Sequence, residues 1–190
     1  MAIESHTPLC IYLPWGWLWL NADPIQYGWS WAPLTWTPKT SGRHTPHSTD
    51  EERLVVAFEA YAQGDNSLLM AWPLPTTVGT PFQQAAWREL LTIPQGTIAT
   101  YGDLAKRVAQ QTGKRPAPQA VGQACKNNPW PLRVPCHRVI STAEQRGQTG
   151  FVGYAGQTEG YLPTIKTQLL AWERQQTRNL VKPQVLIPTH

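Results

Sequence analysis

Residues 80–108 read TPFQQAAWRELLTIPQGTIATYGDLAKRV, and the punctuation of this stretch decides how the second half of the chain folds. Thr80 is a cap residue, Pro81 stands where a helix's first N–H needs no partner, and Gln83 is placed to bond back to the cap. A helix is therefore expected from Pro81 to about Leu91, where IPQG (93–96) stops it. Thr100 and Asp103 repeat the signature and open a second helix, YGDLAKRVAQQ, with Leu104 and Val108 on one face. After a Gly/Pro-rich break, Pro118 starts a third, PQAVGQACKNN, which Asn128-Pro129 ends. Two short helices joined by a turn make a helix-turn-helix candidate.

Upstream the pattern changes. Residues 8–36 are rich in Trp, Tyr, Leu and Ile and are broken by Pro14, Gly16, Pro24, Gly28 and Pro33, the composition of short strands joined by turns. Trp15, Trp17 and Trp19 share one strand face by their period of two and are expected in the core. No basic residue precedes Lys39, which argues against a base-stacking platform. The segment 39–50 is a polar loop. Ser48 and Glu51 then start a helix with Leu54, Phe58 and Tyr61 along one face, ended by Gly64. PLPTTVGT (73–80) reads as a linker. The fold class is α+β: a strand-rich N-terminal domain (1–75), a mostly helical domain (80–178) and a tail (179–190).

Charge divides along the same line. The net formal charge is +4, but residues 1–100 carry −4 and residues 101–190 carry +8. A basic second half is the half that would meet a polyanion such as nucleic acid; a basic face without a partner is the alternative. Three cysteines (Cys10, Cys125, Cys136) with no CxxC pair offer no disulfide framework and no metal spacing. That usage suits a reducing, cytoplasmic compartment. The apolar run IYLPWGWLWL is too short to span a membrane and lacks a basic leader. No metal, cofactor or membrane is expected.

The third helix is stripped of bulk at Ala120, Val121, Gly122, Gln123 and Ala124. An ordinary helix is about 10–12 Å across, whereas the minor groove of DNA is only about 6 Å wide. Two readings stay open: a helix slim enough to press into that groove, or tight packing against another helix.

VPCHRV (134–139) places a thiol beside an imidazole. A free thiol has a pKa of about 8.5 and needs a base or a cation to become a nucleophile. Downstream, Ile165, Leu169 and Glu173 fall at helical spacing, so a carboxylate continues an apolar face and needs a buried partner. A surface pair with Arg174 or Arg178 is the alternative.

VPCHRV, preceded by AVGQACKNNP and followed by GFVGYAGQTEG, resembles the O6-alkylguanine-DNA alkyltransferase family over roughly residues 80–175. The resemblance implies a ribonuclease-H-like N-terminal domain and a winged-helix-like second domain. It implies a cofactor-free, single-use transfer of an alkyl group from guanine O6 to Cys136, after the base has been flipped from double-stranded DNA. In that scheme His137 takes the thiol proton through a water, Glu173 orients the imidazole, and Asn128 fixes the turn before the active-site strand. Tyr101 rotates the nucleotide and protonates the leaving guanine. Tyr154, Ala155, Gly156 and Val139 wall the pocket. Gln119, Ala120, Gly122 and Gln123 enter the minor groove, with Arg115 or Lys114 beside them, and the protein acts as a monomer. Arg138 is assigned a structural part. The sequence departs from the family where an arginine usually fills the gap left by the flipped base: Gln119 stands there. Cys125 replaces a bulkier apolar residue. A lesion sensor without transfer and a Cys-His-Glu hydrolase are the competing functions.

Overall fold

The computed structural model describes residues 9–20, 28–32, 45–114, 116–148 and 153–181 of the 190. It is a mixed α/β structure with a small antiparallel sheet and a set of helices. The order is β1 (Leu9–Leu13), β2 (Gly16–Leu20), β3 (Trp29–Ala32), α1 (Thr49–Ala62), α2 (Ser67–Ala71), α3 (Pro81–Leu90), β4 (Ala99–Thr100), α4 (Tyr101–Thr112) and α5 (Pro118–Lys126). A single turn of 3-10 helix (Cys136–Arg138), β5 (Val139–Ile140), α6 (Thr142–Gln145) and α7 (Tyr161–Val181) complete it.

The apolar run near the N-terminus is a hairpin: β1 pairs antiparallel with β2, Leu13 facing Gly16, and β2 pairs with β3. This corrects the tryptophan reading. Leu18 and Leu20 are buried, while Trp17 and Trp19 are half-buried on the other face. Trp15 lies in the turn before β2 and is buried against Tyr61 and Trp172, ring centroids 5.9 and 4.8 Å apart. In a Trp-Leu-Trp-Leu strand both faces are apolar, so alternation alone does not choose the inner one.

The capped helix starts stand where expected. Thr80 and Gln83 form a reciprocal capping box at α3, and Thr100 and Asp103 form one at α4. At α1, Ser48 accepts from the Glu51 N–H, but the Glu51 carboxylate bonds the N–H of His47 instead of Ser48. The Glu51 side chain thus secures the residue ahead of the cap.

One continuous cluster of buried residues runs from Leu9 to Leu169, so the sheet and the helices share a core. A strong tie between them is Gly28-Trp29. The Trp29 N–H donates to Pro129 O at 2.9 Å and its indole to Pro131 O at 2.7 Å. Gly28 has φ +66, and a Cβ there would lie 1.8 Å from Pro129 O. Only glycine allows that approach. In the second half, α3 packs on α4 and α5, and Trp87 crosses from α3 to donate to Ala124 O at 2.9 Å. β4 and β5 pair in parallel, Ala99 with Val139 and Thr100 with Ile140. That pairing sets the start of α4 beside the turn that carries Cys136.

Candidate active site

The site is assembled on the 3-10 turn Cys136–Arg138. Pro135 leads into it, and Asn128 holds it from the end of α5. Asn128 Nδ2 donates to Val134 O at 2.7 Å and reaches Cys136 Sγ at 3.2 Å, while its Oδ1 accepts from the Trp130 N–H at 3.0 Å. The residue assigned to fix the turn therefore also contacts the sulfur. Cys136 sits on this turn ahead of β5, not on a strand.

His137 and Arg138 point inward, both buried, toward Glu173 of α7, which is 0% exposed. His137 Nε2 lies 2.9 Å from Glu173 Oε1. Arg138 holds the same carboxylate with Nε and a terminal nitrogen at 2.8–3.2 Å. Tyr61 of α1 donates to Oε1 at 2.6 Å and the Gly96 N–H to Oε2 at 3.1 Å. Glu173 thus pairs with Arg138, not with Arg174 or Arg178. Burial pushes its carboxyl pKa up, but the His137 and Arg138 donors outweigh burial and hold it well below the carboxylate range. Because the guanidinium is permanently charged, Glu173 is an acceptor-only anion. His137 then carries its proton on Nε2, leaving Nδ1 as the basic nitrogen. Nδ1 is buried and meets no protein partner among the described residues. Burial holds the imidazole below its ordinary pKa, against the pull of Glu173.

Burial likewise pushes the Cys136 thiol up, and hydrogen bonds from Asn128 and Tyr154 oppose it. The resting pair is a neutral thiol next to a neutral base backed by a carboxylate. Thiol, imidazole and carboxylate are the group types that covalent catalysis combines as nucleophile, base and orienting group.

Cys136 opens into a cavity of about 420 Å³, within the usual range of roughly 300–1,000 Å³ for small-molecule pockets. Of the expected wall, Tyr154, Ala155 and Gly156 line it. Val139 does not: it is fully buried and paired with Ala99 in the two-stranded sheet. Ala155 (φ +49) and Gly156 (φ +83) both turn left-handed, bending the loop around the opening. Tyr101 lines the cavity from the start of α4, and burial raises its phenol pKa, with further contributions from Cys125 and Cys136. Gln119, Gly122 and Gln123 of α5 form the mouth, and Cys125 lies deeper. Ala120 is half-buried on the same helix, Lys114 is exposed in the preceding loop, and Arg115 lies outside the described residues.

Four participants lie outside the residues assigned to the site from the sequence. Tyr61 and Trp31 reach the site from more than a hundred positions away. Arg138, assigned a structural part, grips the Glu173 carboxylate. Lys166, fully buried on α7, donates to Gly153 O at 3.1 Å and to Glu144 at 3.3 Å, tying the pocket loop to α6. Lys166 lies one turn after Leu162 and one turn before Leu170 on an apolar stripe, and that spacing marks it as inward-facing.

The site thus combines a buried acid-histidine pair, a pocket thiol and, beside them, a slim helix on the basic half of the chain. The model of the 6-O-methylguanine DNA methyltransferase DNA-binding domain matches residues 81–175. The chain belongs to this family. It is similar to the methylated-DNA–protein-cysteine methyltransferase of Saccharomyces cerevisiae (strain YJM789), 38% identical over 110 residues, 58% of this chain and 51% of that protein. The constitutive enzyme of the same name from Bacillus subtilis (strain 168) is 42% identical over 128 residues, 67% of this chain and 70% of that one. The chain thus spans about half the length of the yeast relative. A crystal structure of the Mycobacterium tuberculosis O6-methylguanine methyltransferase superposes with TM-score 0.62 at 30% identity, covering 89% of this chain and 93% of that one. A crystal structure of the M. tuberculosis protein in complex with DNA gives TM-score 0.62 at 29% identity, with the same coverage. No helix among the described residues is long and apolar enough to cross a membrane.

Proposed function

We propose that this chain reverses O6-alkylguanine damage in DNA by moving the alkyl group, once and irreversibly, onto Cys136. The observation that carries the reading is a pocket-facing thiol beside a buried His137–Glu173 pair whose free nitrogen is Nδ1. The Cys136 proton passes through a water to Nδ1, and the imidazolium so formed is stabilised by Glu173. The thiolate attacks the alkyl carbon in line, the S–C bond forms and the C–O6 bond breaks. The electron pair stays on the guanine, which takes a proton from the Tyr101 hydroxyl. Tyr101 suits that role because its raised pKa keeps the phenol protonated. The His137 imidazolium then returns its proton, through water, to the Tyr101 phenolate, so the net change moves one proton from thiol to guanine and leaves a thioether on Cys136.

The same reading assigns α4 and α5 as a helix-turn-helix in a winged-helix-like domain, with a ribonuclease-H-like domain ahead of it and a boundary near residues 75–80. The slim face of α5 enters the minor groove of double-stranded DNA through Gln119, Ala120, Gly122 and Gln123, with Arg115 nearby. Extrusion delivers the base to the cavity, since a stacked O6 substituent offers no in-line path to a side chain. The protein works as a cytoplasmic monomer without a cofactor.

Incubation with a duplex carrying O6-methylguanine, followed by peptide mass spectrometry, tests this. The expected result is a permanent mass gain of one methylene unit on the Cys136 peptide, with stoichiometry of one. Binding without mass gain would identify a lesion sensor, and turnover without a mark a hydrolase; either outcome refutes the proposal.

A further inference from the structure

The acceptor sulfur is served by a donor chain that starts outside residues 81–175. Trp31, in β3, is 123 positions from Tyr154, yet its indole Nε1–H donates to the Tyr154 hydroxyl at 3.2 Å in a buried contact. The Tyr161 hydroxyl donates to Trp31 O at 3.3 Å and fixes β3 at this point from the start of α7. Indole is a donor only. The Tyr154 oxygen must therefore be the acceptor in that bond, and its own hydrogen must leave in another direction. Tyr154 is buried and lines the cavity together with Cys136, and burial and then the neighbouring sulfur hold its phenol pKa well up.

We propose that Trp31 is a positioning residue for alkyl transfer: its N–H turns the Tyr154 hydroxyl hydrogen onto Cys136 Sγ, so that the sulfur meets donors from both Asn128 and Tyr154 as it becomes negative. A hydroxyl that accepts a hydrogen bond is polarised into a stronger donor, so the effect of Trp31 passes through Tyr154 to the thiolate. The other groups facing this sulfur are Cys125 of α5, Tyr101 of α4, the Lys166 ammonium of α7 with its Glu144 partner, and the adjacent His137–Glu173 pair. None of them shares a hydrogen bond with Trp31 among the described residues. The inference rests on Cys136 being the alkyl acceptor.

The test compares wild type, Trp31→Phe, Trp31→3-benzothienylalanine, Tyr154→Phe and the double variant Trp31→Phe/Tyr154→Phe. The benzothienyl side chain keeps the indole's shape but has sulfur where the N–H was, so it separates the lost donor from lost packing. The rate of carboxymethylation of Cys136 by iodoacetate is followed by peptide mass spectrometry from mildly acidic to mildly alkaline pH. Methyl transfer from an O6-methylguanine duplex is measured in parallel. Loss of the indole donor should move the ionisation midpoint of Cys136 upward and slow carboxymethylation at neutral pH roughly threefold to tenfold, the weight of one net hydrogen bond. On the Tyr154→Phe background the Trp31 change should add nothing. An unmoved midpoint in the benzothienyl protein, or an undiminished Trp31 effect without the Tyr154 hydroxyl, overturns the proposal. If the midpoint moves as expected while the duplex methylates no Cys136, the alkyl-transfer reading fails and the donor chain stands. If transfer proceeds and the midpoint ignores Trp31, the donor chain alone fails.

Discussion

Replacing Glu173 by Gln tests the centre of the structure. The carboxylate is fully buried and takes donors from Arg138, His137, Tyr61 and the Gly96 backbone on its two oxygens. Glutamine keeps the shape but offers one acceptor oxygen and one NH2, so some of these donors face another donor, and the buried guanidinium loses its counter-charge. Removing one partner of a buried pair costs about 3–5 kcal/mol, a large share of the roughly 5–15 kcal/mol that holds a domain folded. At about 2–4 °C per kcal/mol for a chain of this size, the melting temperature should fall by roughly 6–20 °C. The pH dependence carries a sign as well. A carboxyl held below its ordinary pKa stabilises the fold above about pH 4.3 and loses that contribution as pH falls toward its folded value. His137, held below its ordinary value by burial, adds stability that is complete above about pH 6.5 and is lost as pH falls below it. Wild type should therefore weaken progressively on acidification, and its advantage over Glu173→Gln should shrink once the pH passes below about 4.3. Urea unfolding followed by tryptophan fluorescence at several pH values measures both effects. A loss below about 1 kcal/mol at neutral pH, or a gap that does not change in acid, would refute the argument from the buried pair.

Other consequences are equally concrete. Cys136→Ser should abolish alkyl transfer and retain binding to a lesion-containing duplex, read by gel shift alongside mass spectrometry. Asn128→Ala frees Val134 O and the Trp130 N–H and removes a donor to the sulfur; a stability loss of about 1–3 kcal/mol should appear in urea melts, with slower carboxymethylation of Cys136. Gln119→Arg should accelerate transfer from duplex DNA without changing the rate with free O6-benzylguanine base, because an arginine fills the gap left by a flipped base only when there is a stack. Equal acceleration on both substrates would locate the effect elsewhere. Gly28→Ala drives a methyl into Pro129 O and should leave little folded protein, which circular dichroism will report.

What could be read in advance was local. The starts of α3 and α4 are written in Thr80 and Thr100, since a cap and its partner lie three residues apart, and that of α5 in Pro118 at its first position. Glu173 was visible because a carboxylate interrupts an apolar stripe. The tryptophan stripe misled for the opposite reason: leucines alternate with it, and only docking of the sheet on α1 selects the inner face. Tyr61 and Trp31 act through contacts between distant segments, and neither spacing nor composition encodes which remote atom a hydroxyl or an indole will meet. Val139, expected in the pocket wall, is instead buried in β5 opposite Ala99, a pairing between distant segments that no local pattern announces.

Gly28-Trp29 clamps the first hairpin layer to the prolines flanking Trp130, immediately upstream of the reactive turn. Warming the chain should accordingly produce a single calorimetric peak rather than two. A fragment trimmed to residues 81–175 would forfeit Trp29, Tyr61 and Trp31 together, stranding the relay acid with fewer donors and the turn without its brace. The portion that the family signature overlooks is thus a structural prerequisite for the chemistry assigned to the portion it describes.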